Sequence, residues 1–97
     1  MTDPDFIGEV DRTIKIYEAF SGHAAARTRQ MIDRHGAVGA LSRLMVSADL
    51  QQGFKVLRDH DRLGESFEAL VVRFEDLFKP EIVAAANWRL QNPYELL

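Results

Sequence analysis

The run Arg27-Thr-Arg-Gln-Met-Ile-Asp-Arg-His-Gly-Ala-Val-Gly-Ala-Leu-Ser-Arg-Leu-Met45 decides how this chain folds. It reads as two short amphipathic helices broken at Gly36, because glycine reaches backbone conformations that other residues avoid. The first helix, from about Ala24 to His35, has Ala24, Thr28, Met31, Ile32 and His35 on its inner side. The second runs from Ala37 to Val46 and turns Val38, Leu41, Leu44 and Met45 inward, leaving Ser42 and Arg43 outside. Apolar residues recurring at intervals of three and four mark helices that bury one face.

Working towards the N-terminus, Asp3-Pro4 reads as a helix start, a capping carboxylate followed by a proline suited to the first turn. A first helix is expected to reach about Phe20, with Ile7, Val10, Ile14 and Tyr17 as its apolar stripe and Phe6 and Phe20 widening it. Ser21-Gly22 ends it.

Towards the C-terminus, Ser47 or Asp49 reads as the cap of a fourth helix with Leu50, Phe54 and Leu57 inward. Gly53 inside that helix costs about 1 kcal/mol relative to alanine, which close helix contact would explain. The polar run Arg58-Asp-His-Asp-Arg62 leads to Leu63-Gly64, a connection anchored by Leu63. Ser66 caps a short fifth helix burying Phe67, Leu70, Val71 and Phe74. Glu75-Asp76-Leu77-Phe78 is a turn with two apolar plugs, and Pro80 opens a last helix ended by Asn92-Pro93.

The expected fold is all-α: a compact bundle of five or six short helices in one domain spanning residues 1–97, with 92–97 as a short tail. A chain of 97 residues buries roughly 60 to 65% of its unfolded surface, so one core suffices. The composition, 46% hydrophobic and 28% charged, is that of an ordinary globular protein. With no cysteine, disulfides, thiolate metal sites and cysteine nucleophiles are excluded. The first residues lack the pattern of a secretory signal and no run is long enough to cross a membrane, so the expected location is the cytoplasm. The net charge of −3 hides a basic middle. Residues 27–62 carry seven basic and four acidic side chains, whereas each flank has a net charge of −3.

The chain resembles a family of small helical bacterial proteins and appended domains, largely uncharacterised, some encoded near restriction or other defence genes. The residues that carry the resemblance are Arg29-x-Met31-Ile32 with Gly36-Ala37-Val38, Ser42 to Ser47, Arg62-Leu63-x-x-Ser66-x-Glu68-Ala69-Leu70-Val71, and Leu77-Phe78 followed by Ala86 and Arg89-Leu90. They cover roughly residues 24 to 91 and are mostly core positions and caps. The resemblance therefore implies a fold and transfers no catalytic residue. The chain departs from it at Ala48, where the family often has proline, and at Lys79, where it often has a serine or threonine cap.

Each candidate for chemistry has a plainer reading. Arg29 and His35 meet the loose arginine-to-histidine spacing of HEPN-type helical ribonucleases, in which histidine acts as a base and arginine steadies phosphoryl charge. A histidine closing a helix also complements the helix dipole, and that reading is preferred. Asp59-His60-Asp61 offers metal-ligand types on a turn from which adjacent side chains diverge; His23 has no evident second ligand. No catalytic, cofactor or metal residue is assigned.

Two surfaces remain. Arg27, Arg34, Arg43, Lys55 and Arg58 form a candidate partner or nucleic-acid surface; in a helix-turn-helix reading of Val38 to Leu57, Gln51, Gln52, Lys55 and Arg58 would reach DNA. Trp88, Tyr94, Leu96 and Leu97 form a candidate interaction patch if Trp88 is not a core plug. The sequence is thus read as a non-enzymatic protein-interaction or regulatory accessory module, self-association included, with a protein partner, no cofactor and no membrane contact. A nucleic-acid-binding protein and a HEPN-like ribonuclease are the alternatives.

Overall fold

The computed structural model describes residues 4–47 and 52–95. Among the described residues five α-helices follow one another: α1 (Pro4–Ser21), α2 (Ala26–Val46), α3 (Gln52–Asp59), α4 (Phe67–Arg73) and α5 (Pro80–Gln91). Short 3-10 turns, Leu63–Glu65 and Glu75–Leu77, flank α4. Among the described residues there is no strand, and the all-α bundle expected from the helical spacings is the fold observed.

Helix α1 ends where Gly22 takes a positive φ of 74° and donates its N–H to the Glu18 carbonyl. Its buried face is rotated from the expected stripe: Phe6, Val10, Thr13 and Ile14 are inside, whereas Ile7 is 49% exposed. Phe6 wins the core position because its ring meets Phe74 and Phe78 edge to face, at 5.2 and 5.7 Å, and a helix cannot turn neighbours 100° apart to the same side. Thr13 is tolerated inside because its hydroxyl donates to the Glu65 carbonyl at 2.9 Å.

Helix α2 is two helical segments joined at Gly36, whose φ of 75° and ψ of 168° lie in a region open essentially to glycine alone. The expected break is there, and it separates two kinds of surface. Beyond it Ala37, Ala40, Leu41, Leu44 and Met45 are buried. Before it Thr28, Met31 and Ile32 are only half-buried, and Ala24 and His35, expected inside, are exposed.

Phe54 and Leu57 of α3 are buried as the spacing predicts. Ser47 ends α2 in an extended conformation; the alternative cap Asp49 and the inward Leu50 lie outside the described residues. A Cβ at Gly53 would meet the Tyr17 ring at 3.7 Å, ordinary contact, so close approach does not require the glycine. Ser66 caps α4, its Oγ accepting from the Ala69 N–H at 3.2 Å while donating to the Leu63 carbonyl at 2.7 Å. Leu70 and Val71 are buried, with Phe67 and Phe74 packed at the edge of the core. Pro80 opens α5, which turns Ile82 and Ala86 inward. The radius of gyration is 12.2 Å, close to the roughly 12.5 Å of a compact chain of this length.

Candidate functional site

The polar centre of the fold joins α4, α5 and the end of α2. Arg89 donates from Nη1 to Glu68 Oε2 at 2.8 Å, and the two side chains are only 6% and 4% exposed. The Arg89 Nη2 donates to the Ser47 carbonyl at 3.3 Å, which ties α5 to the C-terminal end of α2. Burial pushes the Glu68 carboxyl above the ordinary glutamate range, against the pull of Arg89 in the opposite direction. Among the described residues no buried side-chain nitrogen or oxygen lacks a hydrogen-bond partner.

Beside this pair lies a cavity of about 290 Å³ between α1, the start and end of α2, α3 and α4. Ile14, Tyr17, Met45, Phe54 and Leu57 supply apolar wall, Glu68 lies in it, and Arg27 and Thr28 come from the first turn of α2. Ala25, at the cap position of that turn, offers it no side-chain hydrogen bond. The nearby carboxylate of Glu18 is engaged: it accepts from the Ala25 N–H at 2.7 Å and from Arg29 Nη2 at 2.9 Å, bonds that hold its pKa below the usual range, Arg29 contributing most. Nothing in the spacing of the sequence pointed to this cavity, because its walls come from four helices.

The basic residues singled out in the sequence do not share one state. Arg27, Arg34 and Arg43 are exposed and make no ion pair among the described residues. Arg58 is largely covered: it pairs with Asp59 at 3.0 Å, donates to the Pro93 carbonyl at 2.9 Å and lies over the Tyr94 ring at 5.0 Å. Lys55 is half-buried and has an interaction of its own. The C-terminal segment is thus clasped by the helix that a helix-turn-helix reading would lay in a DNA groove. Gln51 and the side chain of Gln52 lie outside the described residues.

Arg29 belongs to α1 as much as to α2, since Glu18 at 2.9 Å and Asp11 at 3.5 Å both hold its guanidinium. His35 is exposed beside the break at Gly36. Six residues along a regular helix place two side chains about 120° apart, so the pair does not share a face. His60 stacks on Phe20 with ring centroids 4.2 Å apart, and its Nδ1 bonds the Val56 carbonyl at 2.8 Å. No three His, Asp or Glu side chains come together as a metal site among the described residues.

Trp88 is 50% exposed on α5 and Tyr94 is 78% exposed; Leu96 and Leu97 lie outside the described residues. The exposed positions of α5 beyond its first turn, Ala84, Trp88 and Gln91, follow one another at intervals of four and three and form a stripe opposite Ile82, Ala86 and Arg89. Among the described residues no helix is long and apolar enough to cross a membrane. No family model, no curated protein and no solved structure matches the chain.

Proposed function

We propose that this protein is a non-enzymatic helical accessory module that docks a protein partner through the outer stripe of α5, centred on Trp88. The observation that carries the proposal is the half-exposed indole of Trp88 on a helix whose opposite face is buried. Tryptophan is enriched among the few residues that supply most of the binding energy at protein interfaces. The defence-gene setting implied by the resemblance directs the search for the partner to the products of neighbouring genes, and a second copy of the chain is the other candidate.

The protein contains one tryptophan, so its fluorescence reports on this surface. Titration with each candidate, and concentration of the protein alone, are expected to shift the emission to the blue as the indole leaves water. Light scattering after gel filtration should show the matching increase in mass, and Trp88→Ala should abolish it. A red-shifted emission throughout, with a monomer at every concentration and no candidate retained, would overturn the proposal.

A second reading, nucleic-acid binding, is favoured by Arg27, Arg34 and Arg43, the exposed arginines of α2 with no ion pair among the described residues. It requires binding of DNA or RNA that weakens steeply with salt. Mobility-shift assays at low salt test it, and no retardation there would eliminate it.

A further inference from the structure

We propose that the cavity beneath the first turn of α2 is a binding site for a small single-chain carboxylic acid, its apolar chain held between α1 and α3 and its carboxylate at Arg27. Protein interiors have few voids larger than a water molecule, whereas this opening of about 290 Å³ approaches the roughly 300 to 1,000 Å³ of small-molecule sites. Ile14, Tyr17, Met45, Phe54 and Leu57 offer an apolar wall to a hydrocarbon chain.

The charge at the cavity selects the head group. Arg27 lines it and has no ion pair among the described residues. Glu18, the acid bonded to the chain just before this turn, is engaged by Arg29 and the Ala25 N–H. One guanidinium suits one carboxylate, which it can hold with two parallel hydrogen bonds. Thr28 belongs to the same lining and carries a hydroxyl able to serve as a further donor. A cationic head group is disfavoured, because the Glu68 carboxylate in the wall is already bonded to Arg89.

Calorimetric titration of the full chain with octanoate, decanoate, decanol and decylamine, each below its aggregation concentration, tests the site. Decanoate is expected to bind one to one, about fifteenfold more tightly than octanoate, since two further methylenes are buried at ~0.8 kcal/mol each. Decanol should bind more weakly and decylamine most weakly. Arg27→Gln, at an exposed position, should reduce decanoate to the affinity of decanol, while Ala24→Phe at the cavity lining should abolish both. Amide chemical shifts in the unmodified protein, read by nuclear magnetic resonance, should move at Thr28 and Gly53. Equal binding of decanol and decanoate, decanoate binding indifferent to Arg27→Gln, shifts confined to other residues, or no binding would each overturn the proposal. Trp88 is not part of the cavity lining, so the fluorescence test of partner docking stands or falls separately.

Discussion

Of the ion pairs that fasten helices to one another in this protein, those of Arg29 and Arg89 behave in opposite ways. Arg29 of α2 meets Glu18 and Asp11 of α1 at a partly exposed surface; Arg89 of α5 meets Glu68 of α4 almost wholly out of water. The exposed partnership lowers the pKa of Glu18, chiefly through its bond to Arg29. The buried one leaves the pKa of Glu68 raised, because desolvation outweighs the attraction of Arg89. The same chemistry therefore favours charge at one seam and opposes it at the other. A buried pair can be costly to break while adding little over a well-packed apolar pair.

The largest effect is expected from breaking the inner pair on one side. Glu68→Ala strands the Arg89 guanidinium and should destabilise the fold by about 3 to 5 kcal/mol, measured by urea denaturation. Replacing both partners together, Glu68→Leu with Arg89→Met, should recover most of that loss and could exceed the original stability by about 1 to 4 kcal/mol. Recovery would show that the cost lies in the stranded charge; a loss as great as that of the single variant would mean that the hydrogen bond to Ser47 matters more.

Acid sharpens the contrast. A carboxylate whose folded pKa is lowered, such as Glu18, contributes stability above its unfolded value, roughly pH 4.3 for glutamate, and loses it as the pH falls through the folded value. Glu68, with its pKa raised, contributes stability below roughly pH 4.3 that is lost as the pH rises through its folded value. Glu18→Gln should flatten the fall in melting temperature on acidification, and Glu68→Gln should steepen it. The smallest effect is expected from Arg29→Ala near neutral pH, a modest loss that shrinks as salt is added, since exposed charges are screened. Thermal melts at low and high ionic strength would check it.

Much of the fold could be read along the chain because its punctuation is local. The cap at Ser66, the start at Pro80 and the break at Gly36 each depend on a few adjacent residues. Periodicity was less reliable where a helix has apolar residues to spare. In α1, Phe6 and Ile7 are both plausible core residues, and only the rings of Phe74 and Phe78, far along the chain, decide between them. The inner ion pair joins residues 21 apart, and Arg58 reaches Pro93 across 35; neither separation leaves a trace in helical spacing. The candidate surfaces were legible as residue types, but whether an arginine has no ion pair among the described residues, like Arg34, or is clasped, like Arg58, is a property of the packed chain.

The break at Gly36 has a consequence for chemical synthesis. Its backbone, at φ 75° and ψ 168°, is the mirror image of an extended conformation that ordinary residues adopt freely, and open space surrounds the position where a Cβ would stand. Handedness, and not size, is what bars a side chain there. A D-alanine at position 36, whose favoured backbone matches this one, should therefore be tolerated better than L-alanine, which should destabilise the fold; thermal melts of the two synthetic chains would compare them.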